Sequence, residues 1–255
     1  MAQGRARRQL PPRAPQDFGQ TWPVSRRDPM GPTVRLILLA PLALLCPAIA
    51  ATPCLCVFDI DRTLTGKQGD LSSCPFNVVV NGVGDTAYGG GTLTLSDLAQ
   101  HVAGTFCAQC YLGVISAGDA SGDESEERKV LHQQLSAKSG LLPTGIYQSG
   151  CTPVKSPLVT FCPDGQKQTA MPGIIDWYRV HAQVEIADED VHFYDDRLVN
   201  IESFRHTKYN AHQISCDKRD LGDSIGYCGA SVHEVVPDHG VVNCEHKKNT
   251  GAQLV

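Results

Sequence analysis

Three short apolar segments that run into polar residues constrain the fold of this chain more than any other feature of its sequence. The first, Leu55–Phe58 in "CLCVFDIDRTLTG", is followed by Asp59 and Asp61. The segments "CYLGVISAG" at 110–118 and "VHFYDD" at 191–196 end in the same way. Short unbroken apolar runs are typical of parallel strands that are buried on both faces of a sheet.

Segments with helical character separate these strands. Ser96 is suited to cap a helix over 97–103, and 121–140 reads as a helix with an acidic start. A third helix is expected from about 166 to 182, with Pro172 either bending it or marking its start. The alternation predicts an α/β fold, a Rossmann-like three-layer parallel sheet with helices on both faces.

Other segments complete this outline. A further strand is expected over 211–216 and a short helix over 197–205. The glycine-rich stretch at 78–98 indicates a hairpin or flap. Residues 141–165 have no clear periodicity and are expected to be irregular, with Cys151 and Cys162 tying a small lid.

The polar residues that follow the strands would converge at one edge of such a sheet. Parallel α/β sheets bind ligands beyond the carboxyl ends of their strands. If the three strands are neighbours, Asp59, Asp61, Ser116, Asp195 and Asp196 meet there. Close carboxylates repel each other unless a cation or a proton lies between them. Mg²⁺, which prefers carboxylates, waters and phosphate oxygens, is the simplest such cation.

The first fifty residues differ from the rest of the chain. Arg35 precedes the apolar run "LILLAPLALLCPAIA" at 36–50, which has the basic flank and small-residue end of a secretory signal peptide. The run is shorter than the roughly 20 residues of a membrane span, so no stable span is expected. Translation could instead start at Met30. The alternatives to a signal peptide are an organelle-targeting leader and an uncleaved membrane anchor.

We therefore divide the chain into a leader at 1–50, a folded domain at 51–240 and a polar tail at 241–255. The leader holds seven basic and two acidic residues, a formal +5, so the whole chain's −5 leaves −10 for the remainder. An acidic domain lacks the basic face that nucleic-acid binding needs.

The cysteine count also points to an oxidising compartment, such as the cell exterior or an organelle lumen. Ten of the eleven cysteines follow the leader, and an even number there favours disulfide bonds. Cys54 and Cys56 lie on one face of the first strand and could pair with Cys74 or with "CAQC" at 107–110. The alternatives are a metal site or redox pair at "CAQC", or free thiols in the core.

The polar residues, taken in order, resemble the motifs of the haloacid dehalogenase-like (HAD) hydrolases, most of which are phosphatases. The family's D-x-D-x-T motif corresponds to 59–63, and its strand-ending Ser or Thr corresponds to Ser116. Its helix-start lysine corresponds to Lys167, with Lys155 as a competing position. Its acidic pair followed by Asp or Asn corresponds to "DDRLVN" at 195–200. The resemblance spans about 54–216.

This resemblance implies a reaction. Asp59 would attack phosphorus to form an aspartyl-phosphate, and Asp61 would protonate the leaving group and then activate water. Thr63 would cap the turn and orient Asp61. Ser116 and Lys167 would hold the transferring phosphoryl group.

The resemblance also implies a Mg²⁺ site. Asp59, the backbone carbonyl of Asp61 and the side chain of Asp196 would be ligands. Asp195 would ligate or lie just outside the ligand set. Asn200 would orient Asp196 or a metal-bound water.

The spacing of the motifs leaves room for only a minimal cap, and an open site suits a phosphoprotein as well as a small phosphate ester.

A phosphotransferase and a catalytically silent HAD-fold binding protein are the alternatives within this fold. A disulfide-rich interaction module whose acids bind Ca²⁺ is the alternative outside it. The sequence does not determine the oligomeric state.

Overall fold

The computed structural model of this chain describes residues 52–139 and 141–245. The expected leader at 1–50, with Cys46, lies outside the described residues, as does the end of the tail at 246–255. Within the two described ranges, no helix is long and apolar enough to cross a membrane.

A central sheet of seven strands, all parallel, organises the domain. Its strands are β1 Leu55–Phe58, β4 Tyr111–Ile115, β5 Tyr147–Ser149, β6 Leu158–Thr160, β7 Val191–Asp195, β8 Asn210–Gln213 and β11 Val241–Val242. Across the sheet they run in the order β11, β8, β7, β1, β4, β6 and β5. The three strands singled out from the sequence, β7, β1 and β4, are therefore immediate neighbours, with β1 in the middle.

Helices cover both faces of the sheet. They are α1 Asp97–His101, α2 Glu126–Ser139, α3 Met171–His181 and α4 Leu198–Glu202. Alternate residues of β1 point to opposite faces. Cys56 and Phe58 belong to the core under α1 and α2, whereas Leu55 and Val57 belong to the core under α3 and α4. The predicted α/β architecture with helices on both faces is confirmed.

The helix starts follow the local signals in the sequence. The Ser96 hydroxyl accepts a hydrogen bond from the Ala99 amide, which is the expected cap of α1. Pro172 lies in the first turn of α3, where its missing amide donor costs nothing, so it marks the helix start rather than a bend. A single 3₁₀ turn at Lys167–Ala170 leads into this helix.

Smaller strand pairs lie outside the main sheet. The hairpin expected at 78–98 is present as the antiparallel strands β2 Val78–Asp85 and β3 Gly91–Leu95. We call β2, β3 and the turn between them the flap. A second antiparallel pair, β9 Arg219–Asp220 and β10 Ile225–Gly226, was not expected from the sequence.

Five disulfides join all ten cysteines that follow the leader: Cys54–Cys110, Cys56–Cys107, Cys74–Cys228, Cys151–Cys162 and Cys216–Cys244. Two of these bonds fasten β1 to the segment just before β4. "CAQC" is therefore neither a redox pair nor a metal site, because Cys107 is bonded to Cys56 in β1 and Cys110 is bonded to Cys54 just before it. Five disulfides fit a protein of an oxidising compartment.

Two expectations about irregular segments need correction. Residues 141–165 are not simply a lid, because they contain β5 and β6, which extend the sheet beyond β4. The polar tail expected at 241–255 begins with β11, which pairs with β8, and its Cys244 is bonded to Cys216. These strands are only two or three residues long, too short to give a periodic signal.

Candidate functional site

The site begins where three neighbouring strands end. Asp59 follows β1, Ser116 follows β4, and Asp195 is the last residue of β7. The Asp59 amide donates to the Tyr194 carbonyl at 2.9 Å, and the Ser116 amide donates to the Val159 carbonyl at 2.9 Å. The backbone hydrogen bonds of the sheet thus extend to both residues. They hold the two side chains at the edge of the sheet where the strands have their carboxyl ends.

Three carboxylates form a compact cluster at this edge. Asp59, Asp195 and Asp196 each place one carboxylate oxygen within 4.8 Å of the others. All three residues are buried. Their convergence follows from the pairing of β1 with β7, because the paired strands run in the same direction and end at the same level.

Lys167 is the cation of this cluster. Its ammonium lies 2.6 Å from Asp59 Oδ1 and 2.6 Å from Asp195 Oδ2, and the side chain is 1% exposed. Burial alone would lower the pKa of this lysine, but Asp195 and Asp59 outweigh burial and raise it, so the ammonium stays charged. Lys155, the competing position, is exposed in a loop.

The carboxylates outnumber this single charge. Burial raises the pKa of Asp59 well above its ordinary value, against the opposing effect of Lys167. Burial, with the neighbouring Asp195, does the same for Asp196. Both groups therefore resist ionisation until another cation approaches.

The donor set of the cluster fits a hard divalent cation. Asp196 Oδ2 accepts a hydrogen bond from the Gly226 amide at 2.5 Å, while Asp196 Oδ1 is buried without a hydrogen-bond partner. A buried carboxylate oxygen without a partner is costly in free energy. An oxygen-liganded ion such as Mg²⁺ would satisfy this oxygen and neutralise the excess charge.

Asn200 orients a different aspartate from the one expected. Its amide donates to Asp195 Oδ2 at 2.8 Å and to Asp164 Oδ1 at 2.9 Å. Asp195 Oδ1 accepts from the Arg197 amide at 2.7 Å. Asn200 therefore orients Asp195 and not Asp196. The Asp195 carboxylate is held by the Lys167 ammonium, the Asn200 side-chain amide and the Arg197 backbone amide.

Ser116 and Asp61 face each other across a glycine. The Ser116 hydroxyl accepts from the Gly118 amide at 3.1 Å. A Cβ atom added to Gly118 would lie 3.0 Å from Asp61 Oδ2 and 3.7 Å from Ser116 Oγ. Glycine at this position leaves room for the approach of the two side chains.

The turn after β1 presents Asp61 to the site. Arg62 has a φ of 65°, and its amide donates to Thr65 Oγ1, which in turn donates to the Ile60 carbonyl. Thr65 thus makes the hydrogen bonds that were expected of Thr63. Thr63 is buried, and its hydroxyl has no hydrogen-bond partner among the described residues.

A second group of acids adjoins Asp61, and sequence reasoning missed it. Asp61, Asp85 and Glu127 each place a carboxylate oxygen within 4.8 Å of the others. Burial, with Glu127 and Asp85 next in effect, raises the pKa of Asp61 to about 8. Burial raises the pKa of Glu127 to about 7. Glu127 ends the acidic run that indicated a helix start, and nothing in its spacing links it to Asp85 or Asp61.

Two further features frame the mouth of the site and were also missed. Tyr88 lies at the tip of the flap. Burial raises the pKa of its hydroxyl, and the nearby carboxylates of Asp196, Asp59 and Asp61 raise this pKa further. The Arg62 guanidinium lies 5.0 Å from the centre of the Tyr88 ring. On another side, Arg197 pairs with Asp164. An aromatic residue in a glycine-rich turn is the one signal that could have indicated Tyr88.

The structure therefore brings together Asp59, Asp61, Ser116, Lys167, Asp195 and Asp196, and it connects Asn200 to them through Asp195. Comparison of the sequence with profiles of known protein families gave no match, and a search of curated proteins gave no similar sequence.

Proposed function

We propose that this chain is a Mg²⁺-dependent phosphatase of the HAD type that hydrolyses phosphate monoesters through an aspartyl-phosphate. The observation that carries the proposal is the buried cluster of Asp59, Asp195 and Asp196, bridged by Lys167 next to the end of β4. The buried Asp196 Oδ1, which has no partner, supports a cation at this point. Such a combination suits phosphoryl transfer, in which positioning and charge neutralisation do most of the work.

In the first step, an oxygen of Asp59 bonds to phosphorus as the bond from phosphorus to the ester oxygen breaks. Lys167 holds Asp59 Oδ1, which leaves Oδ2 without a hydrogen-bond partner among the described residues and free to attack. Asp61 donates its proton to the departing oxygen, so an alcohol leaves. The raised pKa of Asp61, about 8, keeps this group protonated near neutral pH.

In the second step, water replaces Asp59 on phosphorus. The ionised Asp61 takes a proton from the water as its oxygen bonds to phosphorus. The bond between phosphorus and Asp59 breaks, which frees inorganic phosphate and restores both aspartates.

The remaining residues stabilise the transferring group. The Ser116 hydroxyl can donate to a phosphoryl oxygen, since in its hydrogen bond with the Gly118 amide it is the acceptor. The Lys167 ammonium supplies positive charge beside the attacking oxygen. When bound, Mg²⁺ would be held by Asp59, Asp196 and the Asp61 carbonyl, and it would neutralise charge on the phosphoryl oxygens.

We further propose that the enzyme acts outside the cell or in a lumen of the secretory pathway, on substrates that reach an open site. The five disulfides support an oxidising compartment. Within the described residues, the flap places Tyr88 near the carboxylates, and no helical domain is inserted between β1 and α1. Without a large cap, a phosphorylated protein surface could reach Asp59 as readily as a small ester.

Activity against a panel of phosphate monoesters, with Mg²⁺ or with EDTA, tests the proposal. The wild-type protein should release phosphate only with Mg²⁺. Asp59→Asn should lose at least about a thousandfold in kcat, because it removes the nucleophile but keeps the side-chain volume. Asp217→Asn is a control at a solvent-accessible aspartate outside the carboxylate cluster.

Two results would contradict the phosphatase proposal. One is turnover by Asp59→Asn at the wild-type rate. The other is no turnover of any ester by folded, Mg²⁺-loaded wild-type protein, which would favour a catalytically silent binding protein.

A further inference from the structure

Three acids on three separate elements meet beneath the turn end of the flap. Asp85 is the last residue of β2, Glu127 lies in the first turn of α2, and Asp61 lies in the turn after β1. Their carboxylate oxygens lie within 4.8 Å of one another. Asp85 and Glu127 are almost fully buried, at 2% and 1% exposure.

No basic side chain among the described residues forms an ion pair with these three acids. The nearby arginines are engaged elsewhere. Arg62 donates to the Tyr227 carbonyl at 3.1 Å and stacks on Tyr88. Arg128 donates to Asp123 Oδ1 at 2.6 Å and to the Asp119 carbonyl. When the three acids are ionised, no ion pair within the described residues neutralises them, and Lys167, Arg62 and Arg128 act on them only from a distance.

One oxygen of the group has no partner although it is buried. Glu127 Oε2 accepts a hydrogen bond from the Ser121 hydroxyl, whereas Glu127 Oε1 is buried without any hydrogen-bond partner. Asp85 is oriented by Gln68 Nε2 at 3.0 Å and by the Ala87 amide at 2.8 Å. Each of those two hydrogen bonds leaves a lone pair on its Asp85 oxygen for another ligand.

We propose that Asp61, in its ionised form, joins Asp85 and Glu127 in a second cation site, distinct from the cluster of Asp59, Asp195 and Asp196, and that this site binds Ca²⁺. Oxygens on opposite sides of a Ca²⁺ ion lie about 5 Å apart, so the spacing of the three acids is compatible with one shared ion. Ca²⁺ also accepts irregular oxygen sets, whereas Mg²⁺ requires a nearly octahedral one. Glu127 Oε1 supplies the unsatisfied ligand atom.

An ion at this second site would fasten the flap to the domain. At present the flap meets this region through the Thr86 amide, which donates to Ser121 Oγ at 3.1 Å. Ser121 in turn contacts Glu127. A cation held by Asp85 and Glu127 would add ionic links between β2 and α2, and so would slow the opening of the flap.

The number of Ca²⁺ ions bound per chain, measured by equilibrium dialysis and calorimetry, tests this proposal. The wild-type protein should bind two ions, and Asp196→Asn should keep one. Glu127→Gln should lose one ion or bind it at least about tenfold more weakly, because it removes one ligand charge. Glu126→Gln, at the exposed neighbouring glutamate, should bind like the wild type.

Hydrogen exchange provides a second readout that does not depend on turnover. Ca²⁺ should slow exchange of amides at 78–95 in the wild type and in Asp196→Asn, but not in Glu127→Gln. Asp85→Asn should behave as Glu127→Gln does, and it replaces Glu127→Gln in this test if that variant folds poorly. Failure of Asp196→Asn to bind any Ca²⁺, or unchanged binding by folded Glu127→Gln and Asp85→Asn, would overturn the second site.

Discussion

Lys167 is the residue on which the charge balance of the proposed active site depends. It is buried, and it bridges Asp59 on β1 to Asp195 on β7. Removing one partner of a buried ionic group leaves the others uncompensated, which is strongly unfavourable. The same ammonium lies where charge would develop during attack by Asp59.

Lys167→Gln should therefore lower kcat/KM by about a hundredfold or more, because it removes a positive charge next to the nucleophile. Lys155→Gln, at the exposed competing lysine, should leave kcat/KM within about twofold of the wild type. Steady-state kinetics on both variants, with circular dichroism to confirm folding, decides between the two lysines. Equal losses in the two variants would contradict the assignment.

Asp61 is the residue whose protonation should set the pH dependence. As the proton donor it must be protonated, so kcat/KM should fall as pH rises through its pKa, about 8. After burial, the charge of Glu127 is the largest contribution that keeps this pKa high.

Glu127→Gln should therefore lower the pKa of Asp61 and move the alkaline limb of kcat/KM by about one pH unit to lower pH. The measurement is a pH–rate profile on an alkyl phosphate in Mg²⁺ buffers without Ca²⁺, since a poor leaving group needs the proton. Glu126→Gln should not move the limb. A shift to higher pH in Glu127→Gln would contradict this role.

Among the elements, β1 leads into Asp59, the proposed nucleophile, and is fastened by two nested disulfides. Cys54–Cys110 and Cys56–Cys107 close loops of 56 and 51 residues that overlap almost completely. Once one bond has closed the loop, the second removes little further freedom from the unfolded chain. The stabilising effects of the two bonds should therefore not be additive.

Removing either bond alone by a pair of alanine substitutions should cost about 1–2 kcal/mol, mainly through lost packing. Removing both should cost about 5 kcal/mol or more, which exceeds the sum of the two single removals, because the loop is then open in the unfolded state. Urea unfolding under oxidising conditions measures both quantities. If the double removal cost only the sum of the two single removals, the shared-loop explanation would be wrong.

The sequence predicted the elements that are long or strongly patterned. The four core strands, the hairpin and the helices at α1, α2 and α3 could be predicted because apolar runs and capping residues mark them locally. The strands β5, β6 and β11 could not, since strands of two or three residues have no period to detect. Their place in the sheet is decided by tertiary pairing and by the disulfides Cys151–Cys162 and Cys216–Cys244.

The site residues could likewise be predicted from the sequence only where they follow strongly patterned elements. Asp59, Ser116 and Asp195 could be placed together because each ends a recognisable strand. Asp85 and Glu127 could not, because their approach to Asp61 depends on how the flap folds over α2. The sequence also could not show that Thr65, and not Thr63, makes the hydrogen bonds of the turn, because both are threonines in one short segment.

At the scale of the whole molecule, two clusters of buried acids should make stability depend on pH and on metal. In the folded protein the pKa of Asp61 is raised from 3.8 to about 8, and that of Glu127 from 4.5 to about 7. A carboxyl group with a raised pKa stabilises the fold while it is protonated in the folded state. This contribution is complete below about pH 4 and is lost as pH rises through about 7 to 8.

The metal-free protein in EDTA should therefore melt at lower temperature at pH 8 than at pH 5, by several degrees. Mg²⁺ should restore most of the difference at pH 8, because it neutralises the cluster of Asp59, Asp195 and Asp196. Differential scanning calorimetry across this range checks both statements. A melting temperature that rises with pH in EDTA would contradict the assignment of the raised pKa values.

The most direct test of the central claim is the detection of phosphate covalently bound to Asp59. With an aryl phosphate, whose leaving group needs no proton, Asp61→Asn should still be phosphorylated but should release phosphate slowly, so the intermediate accumulates. Peptide mapping by mass spectrometry after acid quench should place one phosphoryl group on Asp59, and Asp59→Asn should carry none. A phosphoryl group on another residue, or turnover of the ester by wild-type protein without any trapped intermediate in Asp61→Asn, would contradict the account.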